Sequence, residues 1–406
     1  MLSFVTRWTR RTVILGSLAL LLVSSAVSTQ ESTPEAVPST AYSVTVLDTR
    51  PFTEALLSEL QVPQGFEVSV FAQGLDNPRW MIFGEDGTLY VSQRAMGTVV
   101  ALTDTDADGA ADGAARVVVS GMPLAHGLEI RDGHLYVFAD KVITRAPIQP
   151  NGDIGTPETL IDNLPDSGQH SARTLAFGPD GQLYANIGSP CNACGNSTPE
   201  YAAMLRGTAD FSTHNVFASG LRNTIGFDWH PVTEQMWGFD HGIDAIGDDT
   251  PPEELNLLER GNNYGWPYCY GDSVVNDFIP GNPPGTTKAA FCAAATSPTL
   301  PYQAHSAPIG FTFYTGSSFP DEYVNDAFVV MRGSWNRSVA TGYKVVRVLF
   351  DDAGQPTGFE DFMSDFLIED GTAEFGRPAG IVVAPDGSLL VSEDSNGIIY
   401  RIAFVG

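Results

Sequence analysis

Beyond residue 60 the chain is a series of short apolar runs that alternate with polar residues at a period of two. Each run is entered through a tight polar turn. "FGEDGTLYVSQR" (83–94), "IRDGHLYVFAD" (130–140), "FGPDGQLYANIG" (177–188) and "VAPDGSLLVSED" (383–394) share one form, a turn with Asp-Gly followed by a strand of the type Leu-Tyr/Leu-Val. Asp-Gly suits a turn between antiparallel strands because glycine takes the left-handed backbone without steric cost. "WHPVTEQMWGFDHG" (229–242) and "YVNDAFVVMRGSW" (323–335) are weaker copies. Almost no stretch carries the 3.6-residue period of an amphipathic helix. The copies make six units, most about 45–60 residues apart, with one gap of about 90 around "GNNYGWPYCYGD". Four short strands per unit is the propeller pattern. The chain is therefore predicted to be all-β, a six-bladed β-propeller of four-stranded antiparallel blades. "FEVSVFAQ" (66–73) and "GIIYRIAF" (397–404) are expected to share one blade and close the ring.

A propeller brings the loops that flank its repeated turns together on one axis. In blade order, the polar residues there are Arg79, His126, His170 with Arg173, Arg222 with Asn223, Arg332 with Arg337, and Arg377. Composition gives this set weight. The net charge is −27, and the cations are 21 Lys and Arg, of which only Lys141, Lys288 and Lys344 are lysines. So acidic a chain repels nucleic acid and anionic membranes, and neither is an expected partner. Scarce cations placed near one point in nearly every blade predict a pocket for a polyanion. For any single arginine, a structural ion pair is the alternative.

The N-terminus reads as an export signal over 1–28. Arg7, Arg10 and Arg11 precede "VILGSLALLLVSSAV", about 15 apolar or small residues, too short to span a bilayer comfortably. "TRRTVIL" loosely resembles a twin-arginine signal; an ordinary secretory signal is the alternative. Residues 29–55 read as a disordered Ser/Thr/Pro linker and 56–406 as the propeller, whose folded part is expected to start between Leu47 and Leu60. The expected location is periplasmic or secreted. Four cysteines fit an oxidising compartment and allow three connectivities. Local pairing, Cys191 with Cys194 and Cys269 with Cys292, is the expected one. A zinc site at "CNAC" is the alternative.

Several segments, in order, carry a family resemblance: "LDNPRWMIFGEDGTLYVSQR", "GQHSARTLAFGPDGQLYANIG", "SGLRNTIGFDWHP", "GDDTPPEELN", "GNNYGWPYCYG", "HSAPIGFTFY", "GSWNRSVATGYKVVRV" and "GRPAGIVVAPDGSLLVSED". From about Val62 to Gly406 the chain resembles the soluble sugar dehydrogenases that depend on pyrroloquinoline quinone (PQQ), especially the L-sorbosone and pyranose dehydrogenase branch. The resemblance implies roles residue by residue. His170 matches the catalytic base, which takes a proton from a sugar hydroxyl while hydride leaves for the quinone. Arg222 matches the arginine beside the reactive quinone oxygen, and Asn223 a neighbouring hydrogen-bonding group. Arg377 matches an arginine that grips a PQQ carboxylate. Arg337 is a candidate for a second such cation, with a structural role as the alternative. The main-chain carbonyls of Gly242 and Ile243 occupy the place where relatives hold Ca2+ against the quinone. Asp248, Asp249 and Glu254 would shape that loop, or are ordinary solvated acids.

Two departures bear on substrate choice. Glucose-oxidising relatives have an Asp that orients the base where this chain has Ser189, which cannot supply a charge. The sorbosone-like branch often has an Arg where Ile243 stands. Separately, "DTDADGAAD" spaces Asp104, Asp106, Asp108 and Asp112 as positions 1, 3, 5 and 9 of a calcium loop, with Gly109 at position 6. Ala115 replaces the usual glutamate at position 12, so the choice lies between a structural Ca2+ site and an acidic turn. The expectation is a PQQ- and Ca2+-dependent dehydrogenase acting on a small sugar hydroxyl or hydrated aldehyde, with electrons leaving to a quinone or cytochrome. The rivals are a calcium-dependent lactonase on the same fold and a non-catalytic sugar- or protein-binding propeller.

Overall fold

The computed structural model describes residues 45–166, 168–195 and 198–406. The expected export signal and residues 29–44 of the expected linker lie outside the described residues. Within them, strands form six four-stranded sheets, each antiparallel throughout. Blade 1 covers residues 78–119, blade 2 125–161, blade 3 175–219, blade 4 227–302 and blade 5 308–363. Blade 6 takes three strands from 378–404 and its fourth, Phe66–Ala72, from the other end of the domain. Phe66 pairs with Phe404 and Val70 with Tyr400, so the two ends close the ring as the pattern predicts.

The sequence explains how the blades stack. The second strand of a blade is buried along nearly its whole length, as in Leu89–Gln93, Leu183–Ile187 and Leu389–Glu393. Its two faces meet two different neighbours, so the core is divided among the blade interfaces. Tyr90 and Val99 of blade 1 pack with Leu128 and Val137 of blade 2. Trp237 and Phe239 of blade 4 pack with Phe311 and Val329 of blade 5. First strands touch those of the neighbouring blades, blade 6 against blade 1 and blade 1 against blade 2 among them. Glycine permits that approach. A Cβ on Gly380 would overlap the backbone carbonyl of Arg79, and one on Gly226 that of Ile309.

The repeated Asp-Gly does the work expected of it. Asp86, Asp180 and Asp386 each accept, through Oδ1, the N–H of the residue two places on, at 2.9–3.0 Å. The glycine between them takes φ of 72–83°. An acceptor side chain plus a left-handed glycine fixes the turn and hence the strand register.

The first strand, Asp48–Thr49, lies within the window expected for the start of the folded part, so the end of the span read as linker belongs to the fold. Residues 45–55, read as linker, are packed onto the propeller. Asp48 and Thr49 pair in parallel with Ala373 and Glu374. Arg50 Nε donates to Glu369 Oε1 at 2.8 Å, and Asn396 Nδ2 donates to the Arg50 carbonyl at 2.9 Å. A Ser/Thr/Pro-rich composition does not prevent edge pairing once a partner strand is in reach. The long gap in the repeat is an insertion between the third and fourth strands of blade 4. It carries the hairpin of Cys269–Tyr270 with Val274–Val275 and the short helix Lys288–Cys292, tied by the Cys269–Cys292 disulfide.

Candidate functional site

The repeat delivers two positions per blade to one end of the axis. One lies just ahead of the first strand; the other ends or follows the second. In blades 1 to 6 the second position holds Arg94, Asp140, Gly188, His241, Arg332 and Asp394. Blade 3 alone has no side chain there. A Cβ at Gly188 would lie 2.7 Å from His170 Cβ and 2.7 Å from Asn223 Oδ1, so the missing side chain is the space these two residues fill.

His170 lines a cleft of about 210 Å³ together with Gln169, Arg222, Gly242, Asp244 and Trp335. Its Nδ1 lies 2.9 Å from both the carbonyl and the hydroxyl oxygen of Ser189. A carbonyl only accepts, and the Ser189 hydroxyl donates to the Cys191 carbonyl at 2.7 Å. Nδ1 therefore carries the proton, and Nε2 keeps its lone pair. Burial first, and the Arg222 charge next, push the imidazole pKa down to about 2, against the Ser189 hydrogen bond that raises it. The ring is neutral over the physiological range.

Arg222 is held on three sides. Its Nε donates to the Asn192 carbonyl at 3.0 Å, and NH2 donates to Asn192 Oδ1 at 2.9 Å and to Asp244 Oδ2 at 2.8 Å. The loop beneath it is clamped by Asp240, whose carboxylate accepts the Arg222 and Asn223 N–H groups at 2.8 and 2.7 Å and the Thr224 hydroxyl at 2.8 Å. Asp244 also accepts from Asn336 Nδ2 at 2.8 Å, so it joins blades 3, 4 and 5. Asn223 Oδ1 is buried without a hydrogen-bond partner.

On blades 1, 5 and 6 the arginines converge. Arg79 NH2 meets Asp394 Oδ2 at 2.7 Å, and Arg332 grips both oxygens of Asp394 at 2.9 and 3.0 Å. Arg377 donates to the Gly333 carbonyl at 2.7 Å and lies over the Tyr343 ring, 5.4 Å from its centroid. Arg94 completes the group and reaches Ser171 beside His170. Burial drives the Arg79 pKa down to about 9; Asp394 offsets this in part, while Arg332, Arg94 and Arg377 push it further down. Arg79 Nε and Arg94 Nε are buried and unpartnered. Four cations around one carboxylate, with spare donors, form a site that an anion would relieve. A planar quinone bearing several carboxylates fits that chemistry; Arg377 belongs to this group, whereas Arg222 lines the cleft beside His170.

Gly242 lines the cleft and donates its N–H to Glu253 Oε2 at 2.8 Å. Ile243 turns its side chain away into a small apolar cluster with Ala202 and Trp266. A hard cation beside the Gly242 carbonyl would have the carboxylates of Asp244 and Glu253 on the same wall, which fits Ca2+ by donor type.

Other expected residues lie elsewhere. Arg337, like Asn223 and Arg377, is not among the cleft residues; its guanidinium donates to the Asp248 carbonyl at 2.6 Å and to Asp249 Oδ1 at 2.7 Å. Asp248 takes Ser338 N–H at 3.0 Å, and buried Glu254 takes Gly271 N–H at 2.6 Å. Arg173 is fully buried and ties the carbonyls of Asp140 and Asp166 at 3.0 Å each. His126, also fully buried, donates from Nδ1 to the Arg173 carbonyl at 3.0 Å. Asp104, Asp106 and Asp108 bring ligand atoms within 4.8 Å of one another. Asp112 instead caps Thr105, accepting its N–H at 2.7 Å. Sequence reasoning missed Asp240, Asp244, Glu253, Asn192 and Asn336. Position in the repeat marks Asp240, which ends the second strand of blade 4; nothing comparable marks the others.

The closed ring, with a cleft that holds His170 and Arg222 and a separate group of arginines around Asp394, defines the class: a six-bladed β-propeller with a polar site built from the loops that flank its repeated turns. The comparisons narrow this further. The chain belongs to the TrAA12-like family, whose model matches residues 60–404. An uncharacterised protein from Borreliella burgdorferi is 30% identical over 366 residues, spanning 86% of this chain and 92% of its own. A pyrroloquinoline quinone-dependent sugar dehydrogenase from Hypocrea jecorina is 23% identical over 401 residues, spanning 83% of this chain and 87% of its own. The calcium structure of the Trichoderma reesei Carbohydrate-Active Enzymes Family AA12 protein superposes with a TM-score of 0.74 at 22% identity, over 85% of this chain and 97% of that one.

Proposed function

We propose that the protein is an exported quinoprotein oxidoreductase that oxidises a small sugar at the axial cleft, with PQQ and Ca2+ as its cofactors. Family membership and the PQQ-dependent relative support the class. The observation that carries the reading in this chain is His170, a neutral imidazole with Nδ1 committed to Ser189 and Nε2 left as a base, set beside the anchored Arg222. When bound, PQQ would accept hydride and Ca2+ would polarise the quinone. The chain's own residues then divide the remaining tasks. Nε2 of His170 takes the proton of the sugar hydroxyl or hydrated aldehyde. Arg222 places fixed positive charge where negative charge grows. Arg377, near Arg79, Arg94 and Arg332, holds carboxylate. Trp335, half-exposed at the cleft, gives an apolar face to a sugar ring.

A sorbosone- or pyranose-type substrate fits this reading, with a quinone or cytochrome as acceptor. Both disulfides favour an extracytoplasmic location. Among the described residues no helix is long and apolar enough to cross a membrane. A calcium lactonase is the less favoured reading, because family membership and the PQQ-dependent relative both point to quinone chemistry.

The test is reconstitution of the purified protein with PQQ and Ca2+, followed by quinone absorbance and dye reduction over a panel of aldoses and osones. Binding at micromolar PQQ with sugar-dependent reduction is expected. His170→Ala should keep binding and lose turnover by about 100-fold or more. Absence of PQQ binding at that level would overturn the proposal.

A further inference from the structure

His170 and Arg222 precede the first strands of different blades, yet one six-residue segment, 189–194, holds both. Ser189 accepts His170 Nδ1–H through two oxygens, and its N–H donates to the Arg222 carbonyl at 2.8 Å. The Ser189 hydroxyl is itself fixed by the Cys191 carbonyl. Asn192 then uses every polar group of its side chain. Oδ1 accepts from Arg222 NH2 and, at 2.7 Å, from the Asp244 N–H, while Nδ2 donates to the Asp244 carbonyl at 2.9 Å. Its backbone carbonyl accepts from Arg222 Nε and, at 3.1 Å, from Trp266 Nε1. The Cys191–Cys194 disulfide closes a ring around this residue, and Ala193 in that ring packs against the Ile243, Ala202 and Trp266 cluster.

We propose that this disulfide-closed segment is the positioning element of the reaction, with Ser189 and Asn192 as positioning residues that act through His170 and Arg222. The inference rests on the quinoprotein reading for its catalytic consequence. Its physical basis stands in the chain alone. In place of the carboxylate expected in glucose-oxidising relatives, this chain orients its base with two neutral oxygens. Dipoles fix the tautomer as a charge would, but they raise the imidazole pKa less. Their weakness is geometric, because a hydroxyl and a loop carbonyl orient a ring only if the loop itself is held. A covalent ring of four residues removes the freedom that an open loop would retain. The same ring presents the Asn192 amide flat to the guanidinium, spending Nε and NH2 on the scaffold. NH1, with no protein partner among the described residues, is left as the free corner of a side chain that lines the cleft.

Two variants and two readouts test this. The variants are Asn192→Ala and the double change Cys191→Ala with Cys194→Ala. The first readout is the ¹⁵N signature of the His170 imidazole in protein without cofactor. The parent should show a single Nδ1–H tautomer, and the double variant a mixture. The second is kcat, KM and PQQ affinity after reconstitution. Both variants should lose about 10- to 100-fold in kcat, with KM and PQQ affinity changed less than about threefold. An unchanged tautomer in the double variant overturns the role of the ring. Parent-like kcat in Asn192→Ala overturns the role of Asn192. If the parent fails to bind PQQ, the quinoprotein reading falls, and the tautomer measurement still decides whether the ring positions the histidine.

Discussion

Gly188→Ala asks whether the vacancy in the axial ring is what makes the site. Gly188 has no left-handed backbone, so alanine carries no conformational penalty there and only the space is tested. The added Cβ would meet His170 Cβ and Asn223 Oδ1 at 2.7 Å each, and the His170 carbonyl at 3.0 Å. Carbon atoms settle near 3.5 Å or beyond, so His170 must retreat by about 0.8 Å. The obstacle is the root of the side chain and its backbone, which no rotamer change can move aside. Overpacking of this kind costs about 1–3 kcal/mol in stability. The larger effect is on chemistry, because a shift near 1 Å costs on the order of 100-fold in rate when reacting groups must be aligned. Reconstituted Gly188→Ala should therefore melt a few degrees below the parent and lose about 30- to 100-fold in kcat. Gly358→Ala is the control, since a Cβ there meets nothing within 4 Å and its φ is ordinary. A folded Gly188→Ala protein with kcat within threefold of the parent would refute the argument that this gap is reserved for His170.

Two further outcomes follow from the same geometry. Arg377→Ala should weaken PQQ binding at least about tenfold by titration of quinone absorbance, as expected for loss of a charged hydrogen bond worth about 1.5–3 kcal/mol. Arg337→Ala should change it less than threefold, because Arg337 is spent on the Asp248–Asp249 loop; equal effects would place both arginines on the cofactor. Acid stability tests His126, whose pKa lies well below the usual value because it is fully buried and then because Arg79 and Arg94 are near. Above pH 6.5 both the folded and unfolded chains leave it neutral. Below that, only the unfolded chain takes up the proton, so stability falls with pH by about 1.4 kcal/mol per unit. From pH 7.0 to 5.0 the parent should lose about 2 kcal/mol more than His126→Asn, read from urea midpoints. Asparagine can still donate to the Arg173 carbonyl. Parallel losses would show that His126 is not the group responsible.

What could be read from the sequence depended on whether a periodic constraint acted on it. The blades could be read because burial on both faces of each second strand forces an apolar run, and the turn before it forces Asp-Gly. The same period places His170, Arg222 and Arg377 ahead of first strands. It also identifies Gly188, once its five counterparts are lined up as Arg94, Asp140, His241, Arg332 and Asp394. The repeat specifies where a residue points but not what it will meet. Arg337 lies five residues past Arg332 in a loop with no period, and its partner was set by where the Asp248–Asp249 loop happens to pass. Asn192 and Asp244 were missed for the complementary reason. Each looks like an ordinary loop polar residue, and each acquires its role from partners on another blade, 52 positions apart in the pair they form. The "CNAC" motif drew attention to its cysteines as a staple or a metal site, whereas the asparagine between them makes the contacts with Arg222. In this fold, then, sequence reasoning reaches the groups that face the axis. The groups that hold them in place have to be read from the contacts between blades.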